Sequence, residues 1–510
     1  MQLHQEFIKT AKQFSNKLAV VDVVMNRELN FDKLLIASLI LANRFRKFPE
    51  TNIGIMVPTS IGCMAAVMGV LMCGKTPAMI NFSTGAIDNS KYAQRKCNFK
   101  TIITSKALLD KLNLTPIPGM VFLEDIMSSV HTLEKLQAAL KSKLPLPILQ
   151  NLVHKGSRDE AAVILFTSGS EKDPKAVQLS HKNILQNIST FPQIFNLSHE
   201  DIILGNLPLF HVFGLTVTFF LPLILGGTVV AVANPLDYQL IVDSIRKYKA
   251  TLVVATPTFL HGYLRRSRPG DFESVKYLMA GADKLTSQIR DEYLKMHNIE
   301  ILEGYGATET SPVIAVNTPN AKRFGSVGKP IPGVQVRIVD RETDQILGPD
   351  QVGKVLVKGD NVMVGYYGDL EETSVRIRNG WYDTGDMGTL DSDGYLWHKG
   401  RLKRFVKIGG EMISLVYVES EMEKLLPEGT LCCVVEVPNP TKGADIVVAL
   451  TTQEVVAKDI HKKLKKILPP IAMPKEFYVM DSLPLMGSGK VNFREVETIC
   501  RELHDKSGKK

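Results

Sequence analysis

Apolar runs of strand length alternate with amphipathic stretches of helical period through most of the chain. The runs at 52–57 (NIGIMV), 76–81 (TPAMIN), 100–105 (KTIITS), 161–167 (AAVILFT), 227–233 (GTVVAVA), 250–257 (ATLVVATP) and 299–306 (IEILEGYG) predict strands. Between them, 31–48 (FDKLLIASLILANRFRKF) and 236–250 (LDYQLIVDSIRKYKA) repeat apolar residues at helical spacing and predict helices. The runs are continuous rather than alternating, which marks strands buried on both faces. The pattern therefore predicts an α/β architecture with substantially parallel sheets. From about residue 325 to 400 the texture changes to short strands with Gly and Asp-Gly turns, predicting a smaller antiparallel sheet or barrel. A compact α+β segment is expected beyond Gly400, ending in the charged tail HDKSGKK. The basic, proline-containing stretch 141–158 is the one softer connector.

One stretch competes with this picture. No Asp, Glu, Lys or Arg occurs from Ile202 to Leu236, and 215–233 (LTVTFFLPLILGGTVVAVA) is long enough to span a bilayer. Pro222 and the Gly226-Gly227 pair divide it, however, so a buried helix feeding a buried strand is expected. Pro58-Thr-Ser60 divides 53–74 in the same way.

Composition adds three constraints. Lys and Arg number 61 against 53 Asp and Glu, a net charge of +8 that suits an anionic small molecule, an acidic partner or a membrane surface better than nucleic acid. Six scattered cysteines without a C-x-x-C pair argue against a disulfide framework and a thiolate zinc site. The N-terminus lacks an apolar core ahead of a cleavage site, so a cytoplasmic location is expected, with peripheral attachment at the inner face of the membrane admitted.

Six segments carry candidate chemistry. FTSGSEKDPK (166–175) is a small-residue loop with hydroxyls and lysines after a strand, suited to phosphate oxygens, but it is not a Walker A loop. PLFHVFGLT (208–216) holds a histidine, His211, inside the uncharged run; a lone histidine there is more often a satisfied core residue. LEGYGATE (302–309) places glycines around Tyr305 and a hydroxyl beside Glu309. It suits base stacking and a Mg²⁺ ion, and it fails the dinucleotide fingerprint because Glu309 occupies the third glycine position. WYDTGD (381–386) offers carboxylates for ribose hydroxyls, or an Asx turn. GRLKRFVKIGGEMISL (400–415) is basic around a diglycine, and PLMGSGK (484–490) sets Lys490 on a glycine turn.

In this order and spacing the segments closely resemble the acyl-adenylate-forming (AMP-binding) synthetase family, from about residue 10 to 495. Within it the wording is nearest to the acyl–acyl-carrier-protein synthetase half of the bifunctional 2-acylglycerophosphoethanolamine acyltransferases, the last two segments being the narrowest. The resemblance implies a large N-terminal domain, 1–403, of two mainly parallel sheets sandwiched by helices plus the antiparallel β subdomain. A small mobile α+β domain, 404–510, would follow, with its hinge at Arg404.

The implied reaction activates a fatty acid with ATP and Mg²⁺ and passes the acyl group to a phosphopantetheine thiol. Acyl-carrier protein is the favoured acceptor and CoA the runner-up. The implied roles follow the motifs. Thr167, Ser168, Gly169, Ser170 and Lys175 cradle phosphates; Glu303, Gly304, Tyr305, Gly306 and Thr308 bind the nucleotide, with Tyr305 on adenine and Thr308 at the α-phosphate. Glu309 holds Mg²⁺, Asp386 and Arg401 hold the ribose, and Lys490 bridges carboxylate and α-phosphate. His211 lines the acyl route near Gly281 and Ala282, while Lys407, Gly409 and Gly410 form the thioester face.

Two departures, Lys172 for a loop glycine and Ala176 for the glycine after Pro-Lys, keep open a non-catalytic AMP- or carrier-binding protein. His154–Asp159 matches the H-x-x-x-x-D acyltransferase signature literally and is read as chance. Val456, Ile460, Leu464 and Ile467 are expected on one face of a helix, with Lys458, Lys462, Lys465 and Lys466 on another, a basic stripe suited to an acidic carrier.

Overall fold

A computed structural model describes residues 1–167, 174–408, 411–427, 430–439, 443–451, 457–485 and 491–507. The chain divides into two units, Met1–Gln335 with Val357–Tyr382, and Val336–Leu356 with Asp383–Lys510.

Two sheets build the first unit. The nine-stranded one runs, edge to edge, Lys329–Pro330, Val313–Val316, Ile301–Gly306, Tyr277–Ala280, Leu252–Ala255, Ile202–Gly205, Thr228–Ala231, Leu18–Asp22 and Arg27–Asn30. From Ile301–Gly306 through to Leu18–Asp22 the pairing is parallel. The seven-stranded sheet runs Gly365–Tyr366, Ala176–Ser180, Ala161–Phe166, Thr76–Met79, Asn52–Met56, Ile102–Thr104 and Met120–Phe122. Val229, Val230, Leu252, Val253, Ile53 and Ile102 are wholly buried, as strands covered on both faces must be. Each run read as a strand contains one, and both helical patterns form helices, Phe31–Phe45 and Tyr238–Tyr248.

The long uncharged run is interior. Strand Ile202–Gly205 leads to a π-helix, Gly214–Phe220, then a short α-helix, Leu221–Leu225, and strand Thr228–Ala231. An ordinary helix was expected through the middle. Pro222 has no N–H to give, and its ring would press on the carbonyl four residues back, so the preceding turns widen. The Leu221 N–H reaches Thr216 O, five residues back. Gly226, at φ +90°, turns the chain into the strand. Ser60 caps helix Ile61–Met72 by accepting from the Cys63 N–H at 3.2 Å, so Pro58-Thr-Ser60 does separate strand from helix. Among the described residues no helix is long and apolar enough to cross a membrane.

A five-stranded sheet falls where the short-strand texture places it, ordered Val334–Val339, Gly353–Gly359, Trp381–Leu390 and Ile377–Arg378, with Leu396–Arg401 antiparallel to Trp381–Leu390. Further along, Cys432–Asn439 pairs antiparallel with Gly443–Leu450, which pairs parallel with Glu476–Val479. Strand alternation sends Val434, Ile446 and Val448 into one core with Val418 and Leu464. Cys433, Val435 and Val447 go into another with Val496 and Cys500.

The lysine-rich helix is shorter than expected. It spans Ala457–Leu464 and buries Ile460 and Leu464, while Lys462 and Lys463 are exposed. Lys465, Lys466 and the 43% exposed Ile467 follow in a turn, because Pro469 and Pro470 disfavour further helix. Val456 lies outside the described residues.

Arg404, expected at a hinge, is a core residue of the second unit. It is 7% exposed, its Nη2 lies 2.7 Å from Glu419 Oε2, and its guanidinium stands 5.2 Å over the Phe493 ring. The same Glu419 oxygen accepts from the Val434 N–H at 2.9 Å, tying strand Cys432–Asn439 to helix Leu415–Glu423. Removing one partner leaves a buried charge unmatched. Arg404→Ala should therefore cost the second unit about 3–5 kcal/mol, read as faster amide exchange across 432–435. In a Glu419→Ala background the further loss should shrink; equal losses in both backgrounds would show the pair to be uncoupled.

Candidate functional site

Strands Ala161–Phe166 and Ala176–Ser180 bracket the hydroxyl-rich loop, and its neck is closed by two hydrogen bonds. The Thr167 N–H donates to Lys175 O at 2.9 Å, and the Lys175 N–H donates to Thr167 Oγ1 at 3.1 Å. Ser168, Gly169, Ser170 and Lys172 lie outside the described residues. Ala176 opens the second strand opposite Phe166 with its methyl buried, so this position makes no demand for glycine.

Lys175 leaves the neck toward the segment 357–382. Its ammonium pairs with Glu372 and stands 5.0 Å over the ring of Tyr366. Burial raises the Glu372 carboxyl, but Lys175 and Arg376 outweigh it and hold the group below its ordinary value. The Tyr366 hydroxyl donates to Glu309 Oε1 at 3.0 Å. Lys175 and Glu309, far apart in sequence, thus meet on one tyrosine. Tyr366 and Glu372 were not among the expected site residues; the only sequence signal was a Gly-Tyr-Tyr-Gly run in a region read as separate β structure.

Glu309 itself sits in a 3₁₀ turn, Thr308–Thr310, at the end of strand Ile301–Gly306. The turn is pinned by Thr310, whose hydroxyl donates to Pro312 O at 2.6 Å, and by the Met363 N–H, which donates to Glu309 O at 2.8 Å. Tyr305 pairs across to Ala315 and Gly304 to Val316. Gly306 admits no side chain, since a Cβ there would fall 1.9 Å from Pro312 O.

Gly281 and Ala282 follow the neighbouring parallel strand, Tyr277–Ala280. A Cβ on Gly281 would stand 3.2 Å from the Phe213 ring and 3.7 Å from Gly304 O, so two of the six segments converge on Gly281. Ala282 holds φ at +72°, a strained value for a residue with a Cβ. His211, half-buried, packs its ring 4.8 Å from Phe210, which meets Phe82 edge-on at 4.9 Å. All of this lies at the carboxyl ends of parallel strands, where open α/β sheets take their ligands.

Glu303, half-buried two residues before Tyr305 on the same strand, has its carboxyl raised to about 7 by desolvation. Backbone N–H groups of Gly325 and Leu285, with Lys284 and Arg290, pull it down without overcoming burial.

In the second unit Asp386 and Arg401 face each other across adjacent antiparallel strands. Arg401 Nε lies 3.4 Å from Asp386 Oδ1, and His398 Nε2 lies 3.7 Å from the same oxygen. Asp386 is buried and Arg401 largely exposed, so the pair presents its donors outward. Lys407 pairs its backbone with Met412 where strands Phe405–Ile408 and Glu411–Ser414 run antiparallel, while Gly409, Gly410 and Lys490 fall outside the described residues.

The donor set fits Mg²⁺ of one kind only. Among the described residues no group of three or more His, Cys, Asp or Glu could hold a metal ion. A single carboxylate, Glu309, with nearby hydroxyls suits an ion that arrives with phosphate oxygens and keeps waters. Thiol chemistry is disfavoured, because burial pushes Cys63, Cys97, Cys433 and Cys500 up to about 12. His154 bonds Glu160 at 2.8 Å rather than Asp159.

Comparison with known proteins places the chain in a family. The family model described as AMP-binding enzyme matches residues 7–367, and that of the AMP-binding enzyme C-terminal domain matches residues 425–490. A long-chain-fatty-acid–CoA ligase of Bacillus subtilis is 26% identical over 95% of this chain and 90% of its own. A feruloyl-CoA synthase of an Amycolatopsis species is 30% identical over 66% of this chain and 70% of its own. Among solved structures, ATP-bound MatB from Rhodopseudomonas palustris superposes with a TM-score of 0.86 at 22% identity, covering 99% of this chain and all, 100%, of that one. The o-succinylbenzoate CoA synthetase MenE of Bacillus subtilis, with its acyl-adenylate intermediate, gives 0.84 at 22% identity, covering 97% of this chain and 98% of that one. These likenesses fix the fold: large α/β domain, antiparallel β subdomain and small C-terminal domain.

The raised Glu303 carboxyl has a thermodynamic signature. A folded value of about 7 against an ordinary 4.5 means the folded chain keeps a proton that the unfolded chain releases. Its stabilising contribution is complete below about 4.5 and is lost as pH rises through about 7. Glu303→Gln should therefore gain roughly 3 kcal/mol on the wild type between pH 4.5 and pH 8, read from the first unit's urea transition. A difference independent of pH would show that folding leaves the Glu303 carboxyl at its ordinary value.

Proposed function

The chain belongs to the AMP-binding enzyme family, and from that premise we propose that it activates a fatty acid as acyl-AMP and passes the acyl group to a phosphopantetheine thiol. The observation that carries this reading is the meeting of Lys175 and Glu309 on Tyr366. A phosphate-directed cation and a hard carboxylate held by one rigid ring are what a triphosphate with its magnesium requires.

In the first step a carboxylate oxygen attacks the α-phosphorus of ATP, the bond to the bridging oxygen breaks, and pyrophosphate leaves. In the second the thiol sulfur attacks the acyl carbonyl, its proton passes to solvent, and AMP leaves. Neither step needs a protein nucleophile, which agrees with thiols raised by burial. Mg²⁺, when bound, neutralises charge on the phosphate oxygens. Lys175 and the hydroxyl loop orient the phosphates, Tyr305 stacks on adenine, Thr308 donates to the α-phosphate, and Asp386 with Arg401 takes the ribose hydroxyls. Lys490 is assigned to the charge that gathers at the α-phosphate, His211 to the acyl route. The segment about Arg404 is assigned as the pivot between steps, with the backbone rather than the buried guanidinium as its moving part.

Fatty-acid-dependent exchange of labelled pyrophosphate into ATP tests the reading. The wild type should exchange, and Tyr366→Phe, which removes one hydrogen bond to Glu309, should need roughly three- to tenfold more Mg²⁺ for half-maximal rate. Nucleotide binding without exchange for any fatty acid would leave a non-catalytic binder in its place.

The acceptor is a finer assignment. The subgroup wording of 400–415 and 484–490, with exposed lysines at Lys462, Lys463, Lys465 and Lys466, favours acyl-carrier protein, which is acidic. The relatives' names favour CoA. With preformed acyl-AMP, the rate with carrier protein should exceed that with equimolar CoA and fall steeply with salt. A preference for CoA that salt does not touch would make the chain an acyl-CoA ligase.

A further inference from the structure

Helix Thr132–Lys143 is seated inside out. Leu133, Leu136 and Leu140 recur three and four residues apart and share one narrow face, yet they are 64%, 55% and 62% exposed. The opposite face, with Ala138 and Ser142, is the buried one.

Close packing of Ala138 and Ser142 sets this rotation, and polar contacts accompany it. Glu134 receives two hydrogen bonds from Arg44, at 2.9 and 3.0 Å, and Arg44 also donates to Ser129 O at 2.8 Å. Lys143 reaches Asp32 at 2.6 Å, and Lys12 donates to Ser142 O at 2.8 Å. The helix is thus clamped onto helices Phe31–Phe45 and Leu3–Gln13 by its small and polar residues, and its leucines are left outward. Rotation to bury them would break every one of these contacts. The next helix, Leu146–Asn151, and the residue after it add Ile148 and Leu152, 49% and 44% exposed.

The sequence around this face is mainly basic, although Lys143 is already paired with Asp32. From Ser128 to Arg158 the sequence carries Lys135, Lys141, Lys143, Lys155 and Arg158 against the single acid Glu134, which Arg44 already pairs. On the helical wheel Lys141 and Lys143 fall on either side of the leucines. Outward leucines bordered by cations match the interface of an anionic bilayer, where apolar side chains enter the acyl boundary and lysines meet headgroup phosphates. An acidic protein partner would satisfy the cations without needing three adjacent leucines.

We propose that the face formed by Leu133, Leu136 and Leu140 with its flanking lysines seats the chain on the surface of an anionic lipid bilayer. The face belongs wholly to the first unit and owes nothing to the chemistry assigned above. Vesicle binding therefore tests it apart from catalysis.

Sedimentation with vesicles of phosphatidylcholine, alone or with phosphatidylglycerol, gives the measurement. The wild type should bind the anionic vesicles and bind the neutral ones less. Leu133→Ser/Leu136→Ser/Leu140→Ser should bind the anionic vesicles roughly tenfold or more weakly, with an unchanged thermal transition because the altered side chains are solvated. Should that variant misfold, Leu136→Trp replaces it, and its emission should shift to the blue and be quenched by brominated anionic lipid. No binding by the wild type, equal binding by the triple variant, or indole emission from Leu136→Trp that the brominated lipid leaves unquenched would overturn the proposal. So would concentration-dependent self-association without lipid that the triple variant abolishes, since a second copy would then cover the face.

Discussion

A parallel strand buried on both faces has no side on which to carry a polar residue, and most of the first unit is arranged around that constraint. Strands such as Thr228–Ala231 and Leu252–Ala255 are apolar from end to end, so polar chemistry is displaced to where they stop. Thr167, Gly281, Tyr305 and Glu309 all stand at or just beyond a strand's carboxyl end. The same constraint explains the glycines there. Backbones converge at these ends, and at Gly306 a Cβ would strike Pro312 O.

Strand ends alone would leave Lys175 and Glu309 on different sheets with nothing to fix their spacing. Tyr366 supplies the fixed point, holding one carboxylate by its hydroxyl and one ammonium over its ring. Its own strand, Gly365–Tyr366, pairs with Ala176–Ser180, two residues past the lysine. Glu372 then partners the lysine, and Arg376 partners Glu372 at 3.0 Å. Local charge is nearly balanced before any nucleotide is present. A phosphate that takes over Lys175 must displace Glu372, which makes affinity a difference between two ion pairs rather than the gain of one.

How much of this was legible follows from which signals are local. The strands and helices of the first unit were, because apolar period and length are written in consecutive residues. The six motif segments stand out because glycines, hydroxyls and charges cluster in short stretches, while the roles of their residues come from the resemblance alone. The place of 357–382 was not legible. Its Gly-Tyr-Tyr-Gly run looks like one more β turn, and only pairing with a strand almost two hundred residues earlier reveals it as part of the first unit. The π-helix was hidden for another reason: Pro222 announces a disturbance, and only packing decides whether the chain answers with a kink, a break or a wider turn. The resemblance places Arg404 at a hinge and says nothing of its burial, which depends on Glu419 and Phe493 arriving from elsewhere.

Helix Thr132–Lys143 sets the limit of pattern reading. Hydrophobic period alone would turn its leucines inward, because the rule assumes that water is the only other medium. The leucines would gain by turning inward, yet the surfaces of Phe31–Phe45 and Leu3–Gln13 demand small residues at the contact and offer Arg44, Asp32 and Lys12 as partners. Ala138 and Ser142 meet that demand where leucine could not without overpacking. Exposed surface ion pairs contribute little one at a time, and three half-exposed leucines forgo more apolar burial than such pairs return in water. The orientation is therefore decided by fit, and it leaves an apolar face whose favourable medium is something other than water.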